Sequence, residues 1–243
     1  MALLEIRNLT RTRNGLKAVD EVSFSVDTGE FFTLIGPSGC GKTALLRMIA
    51  GFEPPDSGCI LLDGIDLAGT PPEKRQVHTV FQGYALFPHM TVAENIVFPL
   101  KMAGKDARTV TTRLREALEE MHLKDNAHSF PRELSVTRKL RVALARGLIN
   151  RPRLLLLDDP LGTLDAEARQ EMWHELIGLQ KKLGISFLHA TQVREETQTL
   201  TQREAVMREG RVGQPDALPR SQGPSYSRFD AKHSGHITAL TCR

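Results

Sequence analysis

The sequence predicts an α/β fold: a mainly parallel sheet core, an antiparallel β flank ahead of it and a helical lobe inserted in the middle. Three observations carry this. A glycine-rich loop, Gly36 to Thr43, lies between an apolar strand-like run, Phe31–Ile35, and a helix-like run, Lys42–Ala50. A second apolar run, Leu154–Leu157, ends in two carboxylates, Asp158 and Asp159. Between the two, from Thr91 to about Ile149, the spacing of apolar residues turns helical.

The flank reads as strands and tight turns. Leu3–Asn8 and Val22–Val26 alternate as strands do, and Cys59–Leu62, Asp63-Gly64 and Ile65 make a hairpin with a primed turn. Gly51 stops the helix that follows the loop, and Val77–Gln82 is a further strand. In the helical region Thr91 and Glu94 form a capping box, and Leu114, Ala117, Leu118 and Met121 share one face of a helix over Thr109–Met121. Pro131 interrupts the pattern, and Ser135 caps a helix through Val142, Leu144 and Ala145. The helix Ala166–Leu183 then separates Leu154–Leu157 from a last buried run, Ile185–Ala190.

Composition narrows the function class. With 40% hydrophobic and 25% charged residues the chain reads as globular, and 32 basic against 29 acidic residues leave a net charge of +3. That balance predicts no nucleic-acid partner. Cys40, Cys59 and Cys242 are too few for a disulfide framework and have no metal-ligand spacing, so a reduced, cytosolic protein is the simplest expectation. The N-terminal stretch has no apolar segment of signal-peptide length, and Leu154–Leu157 is far too short to span a bilayer. Any membrane link is expected through a partner.

The loop GPSGCGKT fits a Walker A phosphate loop, the mark of a P-loop NTPase core. Gly36, Gly39 and Gly41 allow the tight turn that lets backbone N–H groups from Ser38 to Lys42 wrap a β-phosphate. Lys42 reaches the β- and γ-phosphates and the Thr43 hydroxyl ligates Mg²⁺. The helix N-terminus, with Ala44 in its first turn, faces the anion. Cys40 fills the loop as a small residue; a lowered thiol pKa at the helix start is the alternative. LLLLDDP fits a Walker B strand, with Asp158 holding Mg²⁺ and Asp159 placed to polarise the attacking water.

With both motifs in place, the chain resembles the ABC transporter ATPase family over nearly all of residues 1–215, most of all importer ATPases of the polyamine and iron(III) group. VFQGYALFPHMTVAENI is similar to the family's Q-loop stretch, with Gln82 at the glutamine that senses Mg²⁺ and the γ-phosphate. PLGTLDA puts Asp165 at the D-loop aspartate, and KKLGISFLHATQVREET resembles the switch segment. AVMREGRVGQ matches the strand pair that follows. The resemblance implies ATP and Mg²⁺ as cofactors and head-to-tail pairing with a second ATP-binding subunit, identical or not. It also implies docking on transmembrane permease subunits at the cytoplasmic face of the inner or plasma membrane, with a periplasmic or extracellular solute-binding protein served indirectly. Residues 1–218 are expected as the ATP-binding domain, with the helical lobe at about 83–150 and a disordered tail at 219–243. The chain ends before a C-terminal regulatory β-domain, so no such regulation is expected.

Four positions depart from the family pattern. The signature Leu-Ser-Gly-Gly-Gln reads here Leu134, Ser135, Val136, Thr137, Arg138, so Ser135 remains at the nucleotide while two β-branched residues replace glycines that let backbone approach the γ-phosphate. Asp159 replaces glutamate; it withdraws the carboxylate by roughly 1–1.5 Å, and a misplacement of about 1 Å costs on the order of a hundredfold in rate. Gln192 stands at the switch histidine and carries no proton, with His189 reachable only by a shifted register. Arg13 stands at the adenine-stacking aromatic. Asp159 and Gln192 would serve this chain's own nucleotide and Val136–Thr137 the partner's. Two readings therefore stand open: an ATPase subunit energising solute import, of which polyamine is the closest class, or a nucleotide-binding pseudo-ATPase with little turnover. A soluble ABC protein acting on ribosomes or DNA ranks behind both, for want of a second ATPase domain or a coiled-coil insert. Trp173 reads as a packing residue and Arg138, Lys139 and Arg141 as an exposed helix face, although Arg141 matches a family position that bonds within the core.

Overall fold

A computed structural model describes residues 1–193 and 203–213, and the backbone of 216–217; the tail expected at 219–243 lies outside the described residues. β1 (Ala2–Arg13) and β2 (Leu16–Asp27) join through Asn14-Gly15, with φ 50° and 77°. β4 (Ser57–Leu62) and β5 (Ile65–Asp66) join through Asp63-Gly64, with φ 50° and 74°. Both are primed turns, which match the strands' twist and need two positive φ values. The four strands make the antiparallel flank in the order β2-β1-β4-β5.

The main sheet contains β3 (Phe31–Ile35), β6 (Val77–Val80), β7 (Leu154–Asp158), β8 (Ser186–Thr191) and β9 (Arg203–Arg208), all parallel. The short strands β10 (Arg211–Val212) and β11 (Asp216–Ala217) pair antiparallel with β9, and the order is β10-β9-β3-β8-β7-β6. β6 ends at Val80, not at Gln82 as the apolar run suggested, because Tyr84 N–H turns back onto the Phe81 carbonyl at 2.8 Å.

Strands buried on both faces read as unbroken apolar runs, and alternate residues here feed two cores. Phe32, Leu34, Leu154, Leu156, Leu188 and Ala190 pack towards α1 (Lys42–Ala50) and the flank. Phe31, Leu155, Leu157 and Phe187 pack towards α4 (Val136–Leu148), α5 (Ala166–Leu183) and the inserted lobe, which adds α2 (Val92–Met102) and α3 (Ala107–Glu120). Each fully buried leucine contributes about 1.5–3 kcal/mol relative to exposure.

The helix ends follow local chemistry. The Thr91–Glu94 capping box forms, with Thr91 N–H donating to Glu94 at 2.8 Å and Glu94 N–H to Thr91 at 3.3 Å. α3 begins earlier than its periodicity suggested because Asp106 caps it by accepting from Thr109 N–H. α1 ends at Gly51, φ 88°, where Arg75 donates to the Met48 and Ile49 carbonyls at 2.9 and 2.8 Å. Arg141 is no exposed cation: its guanidinium pairs with Glu175 of α5, the longer bond being 3.2 Å. Cys40 is a free buried thiol.

Trp173 packs as expected, 3% exposed, against Phe31 and His189 at ring-centroid distances of 5.2 and 5.0 Å. His189 therefore belongs to the core, and burial holds its imidazole down to about 3. The unfolded chain takes up a proton near 6.5 that the folded chain refuses until about 3, so this residue removes stability as pH falls between those values. Denaturant unfolding at pH 7, 6 and 5 should show wild type losing stability faster than His189→Leu, the difference approaching about 1.4 kcal/mol per pH unit below 6.

Candidate functional site

The site lies at the C-terminal ends of three adjacent strands. Gly36 N–H donates to the Thr191 carbonyl at 3.2 Å and Asp159 N–H to the Ala190 carbonyl at 2.8 Å, so β8 locks the ends of β3 and β7 at one level. The phosphate-loop motif leaves β3, the carboxylates leave β7 and Gln192 follows β8.

The loop is a tight fit at two glycines. A Cβ on Gly36 would fall on the Met207 carbonyl oxygen, and one on Gly41, φ 112°, would fall on the Ala18 carbonyl. Gly39, φ 78°, needs its left-handed backbone but has open space. Pro37, Ser38 and Gly39 form the exposed rim, Cys40 lies beneath it, and Ala44 packs partly on the core. Lys42 folds over the loop, donating to the Gly36 and Pro37 carbonyls at 2.7 and 2.9 Å with Cys40 Sγ 3.6 Å away. The turn after β9 supports the loop: Gly210 N–H donates to the Cys40 carbonyl at 3.0 Å.

Thr43 Oγ1 donates to Asp158 Oδ1 at 3.0 Å, which joins the two motifs directly. Burial raises the Asp158 carboxyl above the usual range, with the Thr43 bond pulling down, the Asp159 charge pushing up and the Lys42 ammonium pulling down. Asp159 Oδ2 accepts from Gln82 Nε2 at 3.1 Å and from Gln192 Nε2 at 3.3 Å. Asp159 Oδ1 is buried and has no hydrogen-bond partner. The backbone of Asp159 is left-handed, φ 47°, which costs a non-glycine residue about 1 kcal/mol and is more readily adopted by aspartate than by glutamate. A Cβ on Gly162 would meet Asp159 Oδ2 at 2.7 Å, so glycine there leaves room for the carboxylate.

The structure thus brings Lys42, Thr43, Gln82, Asp158, Asp159 and Gln192 together. Ser135 and Asp165 act locally as N-caps, accepting from Arg138 N–H at 3.3 Å and Ala168 N–H at 2.9 Å. Val136 opens α4 with its side chain 42% exposed, and Arg13 is exposed at the first hairpin's tip opposite Leu16. Oxygen donors on Thr43 and Asp158 suit Mg²⁺, which is commonly held by one or two carboxylates with phosphate oxygens. Among the described residues no cluster of three or more His, Cys, Asp or Glu could hold a metal by itself.

The ABC transporter family model matches residues 19–162. The chain belongs to the ABC transporter family. Within it, this ABC chain is 59% identical to the spermidine/putrescine import ATP-binding protein of Nitrosospira multiformis, over 99% of this chain and 66% of that protein. It spans just under two thirds of that relative's length. Two solved ABC structures share the fold: a dimeric ATP-binding cassette in a post-hydrolysis state bound to ADP and Pi (25% identical, TM-score 0.78, 89% of this chain and 99% of that one), and cbiO1 of Clostridium perfringens, part of the ABC transporter complex cbiONQ (26%, TM-score 0.81, 89% and 88%).

Sequence reasoning missed three supports of this ABC site. Tyr84 Oη shares a 2.8 Å bond with Thr163 Oγ1 and donates to the Pro160 carbonyl at 3.2 Å. Arg146 donates to the carbonyls of Tyr84 and Ala85, each at 2.8 Å. Buried Asn95 binds the Phe87 N–H and the carbonyls of Phe87, Met90 and Thr91. No local spacing signals such long-range bonds; the Asn14-Gly15 pair, by contrast, was a readable hairpin signal. Gly41→Ala should lower unfolding free energy by about 2 kcal/mol or more in a denaturant titration, since strain at positive φ alone costs about 1–3 kcal/mol and the Ala18 carbonyl must also move.

Proposed function

We propose that this chain is the ATP-hydrolysing subunit of an importer for polyamine-like solutes. The observation that carries the reading is the joining of Thr43 to Asp158 and of Gln82 and Gln192 to Asp159 at the ends of neighbouring strands. The name of the Nitrosospira relative supplies the solute class and the direction of transport. Residues 1–218 form the ATP-binding domain in this reading, with the lobe at about 83–150. A second ATP-binding subunit and transmembrane permease subunits are its partners on the cytoplasmic face of the membrane, and a solute-binding protein feeds the permease. No helix among the described residues is long and apolar enough to cross a membrane, which fits a subunit held by its partners.

Backbone N–H groups from Ser38 to Lys42 receive the β-phosphate, and the Lys42 ammonium leaves its carbonyl partners for the β- and γ-phosphate oxygens. Thr43 and Asp158, with Gln82, would hold Mg²⁺, which would supply neutralisation of charge on those oxygens. Asp159 Oδ1, buried and without a partner, accepts a proton of the attacking water, while Gln82 and Gln192 steady Oδ2. Water oxygen bonds to the γ-phosphorus, the bond to the β-phosphate oxygen breaks, and ADP and phosphate leave. Ser135 and Asp165 act at the dimer contact in this reading.

A second reading, nucleotide binding with little turnover, draws on the Val136 side chain standing exposed at the start of α4 where the family has glycine. Steady-state Mg²⁺-ATP hydrolysis beside Lys42→Ala separates the two. Turnover that vanishes in Lys42→Ala and falls about a hundredfold in Asp159→Asn supports the enzyme, given that a missing general base costs about 10²–10⁴-fold. Turnover of wild type no greater than that of Lys42→Ala, with permease and a partner ATPase both supplied, supports the second.

A further inference from the structure

We propose that Tyr84 is a positioning residue whose hydroxyl ties the segment carrying Gln82 to the turn Pro160–Thr163, so that movement of one resets Asp159 on the other. The inference rests on the hydrolytic reading above but concerns a bond that reading does not use.

Three bonds link the two segments. Gln82 reaches Asp159 Oδ2, and Tyr84 Oη reaches both the Pro160 carbonyl and Thr163 Oγ1. Tyr84 is 6% exposed, so its hydroxyl has little access to water as an alternative partner. On its own side, the Tyr84 segment is not held by sheet or helix. Tyr84 and Ala85 are both left-handed, with φ 60° and 46°, and their carbonyls turn outwards to meet the Arg146 guanidinium. Arg146 also lies over the Phe87 ring at 5.4 Å, and Asn95 fixes the backbone from Phe87 to Thr91. Two left-handed non-glycine residues in succession persist only when the surroundings over-determine them.

On the other side the turn is short and internally bonded, with Gly162 N–H donating to the Asp159 carbonyl at 3.3 Å and Leu164 N–H to the Leu161 carbonyl at 3.0 Å. A pull on Thr163 therefore reaches Asp159 within one turn, and Gly162 is where the carboxylate has least clearance. α4 holds the Tyr84 segment through Arg146, so the helix that starts at Val136 is mechanically joined to the same carboxylate.

The test uses the full chain carrying Tyr84→Phe, Thr163→Val or both. Tyr84→Phe keeps the ring and removes the hydroxyl, and its thermal midpoint serves as the folding control. The expected result is a kcat about three- to tenfold lower in each single variant, the range of one net hydrogen bond, with the KM for ATP within about twofold. The double variant should fall no further than the worse single one, since both remove the same bond. Hydrogen exchange at the Gly162 and Leu164 amides, read without nucleotide, should be about three- to tenfold faster in Tyr84→Phe, while amides of β7 stay protected. Unchanged exchange at those amides, or strictly additive losses in kcat, would overturn the tether. A wild type without turnover would instead sink the hydrolytic reading, and the exchange measurement would still decide the bond between Tyr84 and Thr163.

Discussion

The structure depends on the shared level at which β3, β8 and β7 end. Parallel register fixes that level strand by strand, and two backbone bonds, Gly36 to Thr191 and Asp159 to Ala190, extend it beyond the sheet. The placing of β8 between the other two matters as much as the register. It separates the phosphate loop from the carboxylates by one strand, and that gap is bridged at the side-chain level by Thr43 and Asp158. A slip of one residue in β7 would turn Asp158 to the opposite face and bury Leu157 in its place, exchanging every contact of the strand. Leucines line both faces of β7, so the register is held less by them than by the Thr43 bond to Asp158 and the Asp159 N–H bond to the Ala190 carbonyl.

Much of this was legible in the residues. Phe31–Ile35 and Leu154–Leu157 show no alternation, the mark of strands covered on both faces, and the glycine loop followed by a helix-like run located the site. Capping residues at Thr91 and Ser135 marked two helix starts because their signal is local, a side chain bonding three residues ahead. The failures have the opposite character. Tyr84 to Thr163, Arg146 to Ala85 and Arg75 to Met48 join segments distant in sequence, and each partner is an ordinary residue in its own neighbourhood. For Arg141 the exposed-face reading gives way to the alternative of a bond within the core, made to Glu175 on another helix.

Charge at the strand ends is managed with little help from cations. Asp158 and Asp159 are adjacent and both mostly buried, and burial together with the neighbouring Asp159 charge raises the cost of ionising Asp158. Lys42 is near Asp158, but Asp159 is met by the neutral amides of Gln82 and Gln192. Amide donors stabilise a carboxylate through hydrogen bonds and leave it acceptor-only, and neither glutamine changes charge between pH 5 and 8 as a histidine would. Aspartate in place of the family's glutamate fits its backbone, since φ 47° is better tolerated by the shorter residue. The cost of that choice falls on reach, not on folding.

The same division runs through the start of α4. Ser135 still caps the helix, and β-branched Val136 and Thr137 hold the first turn better than the glycines of the resembling signature would, by about a few tenths of a kcal/mol each. Nothing among the described residues registers the change as damage: α4 keeps its buried face, its bond to α5 through Arg141 and its grip on the 84–85 carbonyls through Arg146. In the proposed reading, what is altered is the approach of a second subunit, where methyl groups stand in place of bare backbone. In that reading, departures that leave helix, cap and core intact while changing only what can come close act on assembly and turnover. Stability measured on the isolated chain changes by only those few tenths of a kcal/mol, so in the proposed reading their weight shows with nucleotide and partner present.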